Sequence, residues 1–125
     1  MDRLVPALLV FLGAGVGGVL RYLISESIGP HSSGFPVATL LVNAAGCLVI
    51  GCVLGGLPSM SSITRLVVVA GLLGGFTTFS AFARETVDLW QDGRLSVAAA
   101  YVLASNVVSI AFAAAGFVVA RRFAV

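Results

Sequence analysis

Four long apolar stretches, separated by three short polar linkers, dominate the hydrophobic pattern of this chain. A helix needs about 20 apolar residues to cross the hydrocarbon of a bilayer, and each stretch reaches that length. The linkers "GPHSSGFP", "LPSMSS" and "QDGR" carry turn signals. The pattern predicts an all-α membrane protein with four transmembrane helices, at about Leu4–Ile24, Phe35–Leu57, Ile63–Trp90 and Val97–Ala120.

Composition supports a bilayer as the surroundings of the whole chain. Of 125 residues, 59% are hydrophobic and 10% are charged, whereas soluble domains carry roughly a quarter of charged residues. We therefore expect a single transmembrane domain over residues 1–125, with the first apolar stretch retained as a span. The basic residues are seven arginines scattered along the chain, so no patch for nucleic acid is expected.

The arginines give almost no bias for the orientation in the membrane. An even number of spans places both termini on one side, and orientation follows the excess of basic residues in short loops. The terminal side holds Arg3, Arg65, Arg121 and Arg122, and the other side holds Arg21, Arg84 and Arg94. Two interpretations stay open: a single, weakly specified orientation, or dual topology, in which oppositely inserted copies pair as an antiparallel homodimer.

Polar and small residues recur every four positions in three of the predicted helices. Gly13, Gly17 and Arg21 share one face of the first span, which suits close helix packing, and Arg21 can also provide a positive potential. Asn43 lies on a similar stripe of the second span. Its amide needs a partner in hydrocarbon, either another helix or a permeating anion.

A hydroxyl stripe marks the fourth span. Tyr101, Ser105 and Ser109 step by four residues, with Asn106 beside them. Such hydroxyls either bond back to carbonyls of their own helix or form a polar track for a small solute.

Carboxylates are scarce in the spans, which bears on proton coupling and on catalysis. Glu85 is the only plausible embedded carboxylate for a proton-coupled exporter. The one histidine, His31, lies in a linker, and no nucleophile, base and orienting acid occur together. We therefore expect a protein that is not an enzyme.

The segment "GGFTTFSAF" interrupts the third apolar stretch. Two glycines at Gly74 and Gly75, followed by Thr77 and Thr78, disfavour a regular helix. We expect a broken helix at mid-membrane, where free carbonyls suit a small hard cation. Phe79 and Phe82 follow on one face, and their positively polarised ring edges suit an anion.

Four motifs together resemble the Fluc/CrcB fluoride channels over essentially the whole chain. They are "GAGVGGVLRY", "TLLVNAAGCLVIG", "GGFTTFSAFARE" and the spacing of Tyr101, Ser105 and Ser109. The third motif is the most specific. One departure from the family pattern is Ala81, where a small hydroxyl residue is often found.

The resemblance implies a dual-topology antiparallel homodimer in the cell inner membrane, with two pores that export fluoride passively. It implies one structural sodium ion at the dimer centre, held by the backbone carbonyls of Gly74 and Thr77 from each subunit. Arg21 corresponds to a vestibule arginine. The fluoride pathway would then comprise Asn43, Thr78, Phe79, Ser80, Phe82, Tyr101, Ser105 and Ser109.

Two other classes remain as alternatives. A small multidrug-type, proton-coupled exporter is also a four-span, dual-topology protein, but the first span here lacks a carboxylate. A non-transporting membrane assembly subunit would leave Asn43, the hydroxyl stripe and the broken helix unexplained.

Overall fold

All regular secondary structure is helical in the part of the chain that the structure, a computed structural model, describes: residues 3–30 and 33–124. His31 lies outside these residues. The elements are α1 (Leu4–Ile28), α2 (Val37–Gly56), α3 (Ser62–Arg65), a π-helical segment (Leu66–Leu73), α4 (Gly74–Phe76), α5 (Phe79–Gln91) and α6 (Leu95–Phe123).

Four helical stretches are long and apolar enough to cross a membrane, which confirms the prediction of four candidate spans. They are α1, α2, the stretch Ser62–Gln91 and α6. The first helix continues past its predicted end at Ile24 to Ile28. No residue before Gly29 breaks it, whereas Gly29 has a φ of 64° and is followed by Pro30.

Close backbone contacts hold the spans together in two pairs. Helix α2 packs against α6 where Gly51 and Gly55 face the backbone of Ala113 and Phe117. Helix α1 packs against the π-helical segment and α4, and a Cβ at Gly17 would collide with the Leu72 carbonyl. Apolar burial gives little drive for helix association inside a bilayer, so such close approaches carry much of the packing.

The third stretch is not a continuous α-helix. The N–H of Gly74 donates to the Val69 carbonyl, an i→i+5 contact at the end of the π-helical segment that sequence reasoning did not predict. Helix α4 ends at Phe76, and Thr77 and Thr78 have extended backbone angles. Helix α5 begins at Phe79, with the Oγ1 of Thr78 accepting the Ala81 N–H at 3.2 Å as an N-cap.

A small core joins α5 to α6. Phe82, Leu89, Ala98 and Tyr101 are buried together. Phe35, in the linker before α2, and Tyr101 pack edge to face, with a centroid distance of 5.4 Å and an interplanar angle of 83°. This core fixes the position of α5 beside the hydroxyl stripe of α6.

Candidate functional site

A cleft of about 240 Å³ lies between α2, the interruption of the third span and α6. It gathers eight of the residues that the sequence singled out, together with two further lining residues. The lining is Asn43, Cys47, Thr77, Thr78, Phe79, Phe82, Ser105, Asn106, Ser109 and Ile110. Segments far apart in sequence therefore supply an amide, hydroxyls and aromatic rings to one surface.

The two phenylalanines of the cleft differ greatly in burial. Their ring centroids are 5.3 Å apart with planes inclined at 49°. Phe79 is 77% exposed on the single chain, whereas Phe82 is 9% exposed and its centroid lies 5.2 Å from that of Tyr101. Phe82 thus belongs to both the core and the cleft wall, while Phe79 is held only from one side.

The Asn43 amide pairs with the interrupted backbone. Its Nδ2 donates to the Thr78 carbonyl at 3.0 Å, and its Oδ1 accepts the Thr78 N–H at 2.8 Å. Thr77 is anchored separately, because its Oγ1 donates to the Leu73 carbonyl at 2.9 Å. Asn43 also lines the cleft, and its Nδ2 carries a second N–H.

The hydroxyl stripe of α6 divides into two environments. Ser105 is 7% exposed, and its Oγ is buried with no hydrogen-bond partner among the described residues. Ser109 lines the same cleft, and the neighbouring Asn106 donates to the Val102 carbonyl of its own helix at 2.8 Å. Tyr101 is fully buried and lies outside the lining of the cleft.

Glu85 joins three helices through hydrogen bonds that sequence reasoning missed. Its Oε1 accepts the Thr39 hydroxyl at 2.7 Å, and its Oε2 accepts the Tyr101 hydroxyl at 2.6 Å. Arg84 lies 4.0 Å from the same carboxylate. The sequence carried one indication of the Thr39 bond: Thr39 lies one turn before Asn43 on the same polar stripe of α2.

Arg21 and Ser80 lie outside the cleft. The Nε of Arg21 donates to the Gly75 carbonyl at 3.3 Å. Its side chain lines a separate groove of about 380 Å³ that also contains Arg84 and Glu85. Ser80 is exposed, with its Oγ 3.2 Å from the Thr78 Oγ1.

The Gly74 carbonyl lacks the donor that a continuous helix would supply. In an α-helix the N–H of Thr78 would donate to Gly74, four residues earlier, but here it donates to Asn43. Gly74 is also exposed on the single chain. Carbonyl oxygens suit a hard cation, and no group of three or more His, Cys, Asp or Glu side chains occurs among the described residues. The residues at Gly74 and Thr77 therefore fit a sodium ion held by backbone oxygens.

These features define a small, all-α, multi-pass membrane protein with a polar cleft beside an interrupted span. Residues 8–117 match the family model described as "CrcB-like protein, Camphor Resistance (CrcB)", and the chain belongs to this family. The resemblance inferred from the motifs is thereby confirmed.

Curated relatives match the chain over nearly its whole length. It is 42% identical over 122 residues to "Fluoride-specific ion channel FluC" of Methylobacterium sp. (strain 4-46), covering 93% of this chain and 96% of the relative. It is 44% identical over 114 residues to the protein of the same name from Paracoccus denitrificans (strain Pd 1222), covering 90% and 91%. A family of ion channels confirms the prediction that the protein is not an enzyme.

Proposed function

We propose that this protein is a fluoride-specific ion channel that lets fluoride leave the cytoplasm passively and so reduces its toxicity. The names of the relatives support fluoride as the ion. The observation that carries the proposal in this chain is the cleft, whose lining combines Phe79 and Phe82 with Ser105 and Ser109 of the hydroxyl stripe.

The chemistry of the cleft suits a small anion that must bind briefly and leave. Ring edges, an amide N–H and hydroxyl groups all present partial positive charge. Ser105 brings a buried hydroxyl that has no partner in the part of the chain that the structure describes, which is costly unless something polar meets it. The lining contains no basic side chain, so an anion would not be trapped by a full charge.

An antiparallel homodimer would complete this surface twice. On the single chain, Phe79 and Asn106 are exposed beside the cleft, and an exposed amide facing lipid is costly. A second copy of the chain would cover this exposed surface. The dimer would then contain two pores of opposite direction. The four-to-three distribution of arginines supports dual topology, and we propose the cell inner membrane as the location.

We further propose one structural sodium ion at the dimer centre. The carbonyls of Gly74 and Thr77 would hold it, one pair from each subunit, at a helix interruption placed at mid-membrane. When bound, the ion would supply a fixed positive charge between the two pores. The exposed Gly74, deprived of its helical donor by the Asn43–Thr78 pair, supports this assignment.

A proton-coupled exporter is the alternative, and Glu85 is its only plausible carboxylate. Both oxygens of Glu85 already accept hydroxyl hydrogen bonds, from Thr39 and from Tyr101. This arrangement favours a role in tying α2, α5 and α6 together over the exchange of a proton with a transported substrate.

Efflux from liposomes tests the proposal. Purified protein is reconstituted into vesicles loaded with fluoride or with chloride, and efflux is followed with ion electrodes. We expect fluoride efflux down its gradient without an imposed proton gradient, and little chloride efflux. Efflux that requires a proton gradient would favour the exporter, and no fluoride efflux from folded protein would refute the channel.

A further inference from the structure

The Asn43 side chain does more in this structure than line a polar cleft. One amide group hydrogen-bonds both the N–H and the carbonyl of Thr78, at 2.8 and 3.0 Å. We propose that Asn43 is a positioning residue, which holds the Thr77–Thr78 interruption open and thereby leaves the Gly74 carbonyl free for a cation. This inference rests on the proposed function and deepens it.

The extended backbone at Thr77 and Thr78 leaves the Thr78 N–H in need of an acceptor outside its own helix. Thr77 has ψ 158°, which turns the N–H of Thr78 away from the Gly74 carbonyl that it would reach in a helix. A backbone donor left unpaired in an apolar environment is costly. Asn43 acts toward Thr78 as a neighbouring β-strand would, because it supplies one acceptor and one donor to the same residue.

Helix α2 supports the interruption at a second point, one turn further on. Gly46 faces the Thr77 side chain, and a Cβ at Gly46 would collide with the Thr77 methyl carbon. Asn43 and Gly46 are three residues apart and lie on the same face of α2. Helix α2 therefore contacts both extended residues. Asn43 hydrogen-bonds Thr78, and Gly46, which has no side chain, leaves a notch in the helix surface for the Thr77 methyl group.

The interruption is also held from the side of α1. The Arg21 side chain donates to the Gly75 carbonyl at 3.3 Å, so this oxygen is occupied by protein. The Gly74 oxygen has lost its α-helical donor because Asn43 takes the Thr78 N–H. Removal of the Asn43 amide would leave the N–H and the carbonyl of Thr78 without these partners, so the extended conformation of the interruption, and with it the position of the Gly74 carbonyl, would no longer be fixed.

A positioning role for Asn43 predicts different effects of mutation from those of a direct contact between Asn43 and a passing anion. A contact residue would change fluoride flux alone. A positioning residue would also change the protection of the Thr78 amide and the sodium concentration that the protein needs.

The experiment compares Asn43→Ala and Asn43→Ser with Asn106→Ala. Asn106 also lines the cleft with an amide, but its amide bonds the carbonyl of Val102 in its own helix, so it is a matched control. Serine at position 43 is too short to meet both backbone groups of Thr78 and keeps a polar atom, which provides a second variant if alanine prevents folding.

The readouts are amide hydrogen exchange over residues 74–82 and fluoride efflux as a function of sodium concentration. We expect exchange at Thr78 to become about tenfold faster in the Asn43 variants, as expected for loss of the hydrogen bond, and half-maximal activity to need several-fold more sodium. Asn106→Ala should leave the exchange at Thr78 unchanged.

Two results would overturn the inference. One is unchanged exchange at Thr78 in a folded Asn43 variant. The other is an equal acceleration of exchange at Thr78 in Asn106→Ala. Hydrogen exchange does not depend on transport, so it reports on the pairing even if wild-type protein fails to conduct fluoride. Absence of wild-type efflux would instead refute the proposed function.

Discussion

Replacing Phe79 or Phe82 by isoleucine separates the two roles that an aromatic residue can have beside this cleft. Isoleucine keeps much of the side-chain volume but has no ring edge with positive charge. If both rings form the wall of the anion pathway, both variants should conduct fluoride more slowly. If the rings only fill space, flux should follow stability.

The structure predicts unequal losses of stability. The Phe82 ring pairs with both Phe79 and Tyr101, at centroid distances of 5.3 and 5.2 Å. Each aromatic pair contributes about 0.5–1.5 kcal/mol beyond contact area, so Phe82→Ile should lose about 1–3 kcal/mol of stability. Phe79 is 77% exposed and has one such pair, so Phe79→Ile should lose about half as much.

The effect on flux should follow a different order. Loss of about 1 kcal/mol of interaction at the transport barrier would slow passage about fivefold, and this applies to either ring. Phe79→Ile is therefore the sharper test, because its flux should fall by the same factor while it loses only about half as much stability as Phe82→Ile.

Fluoride efflux from liposomes and thermal denaturation in detergent measure the two quantities on the same preparations. Phe11→Ile is the control, because Phe11 on α1 is 71% exposed and lies outside the lining of the cleft. Wild-type flux from both folded variants would refute the pore-wall role, and an equal loss in Phe11→Ile would show that the assay reports general damage.

Three further predictions concern packing, the interruption and orientation. Gly17→Val should strongly destabilise the protein because its Cβ would meet the Leu72 carbonyl. Gly15→Val should be nearly neutral, because no described atom lies within 4 Å of the added carbon. Similar denaturation midpoints for the two variants would contradict this difference. Thr77→Ser keeps the hydroxyl bond to the Leu73 carbonyl and should retain most efflux activity in sodium; abolished activity would mean that the methyl group in the notch is essential. Two lysines added beside Arg121 should bias insertion and lower activity unless an oppositely biased copy is co-expressed; cysteine labelling that finds one fixed orientation in the unmodified protein would exclude dual topology.

Hydropathy alone predicted the four candidate spans, because span length and apolar character are properties of contiguous sequence. The pair of glycines followed by two threonines also pointed to the residues where α4 ends and α5 begins, since backbone preference is local. The π-helical segment before them carried no comparable signal. Its eight residues are apolar throughout, so nothing in their polarity distinguishes an i→i+5 ladder from an i→i+4 ladder.

The partners of the polar side chains were decided by the tertiary structure. Asn43 was expected to bind either a helix or an anion, and its pairing with Thr78 depends on which face of α2 meets residues 35 positions later. Helical spacing placed Phe79 and Phe82 on one face, yet only the contact of α5 with α6 buries Phe82 against Tyr101 and leaves Phe79 exposed. The period of a helix shows which residues share a face, whereas the rotation of that helix against its neighbours determines what the face contacts.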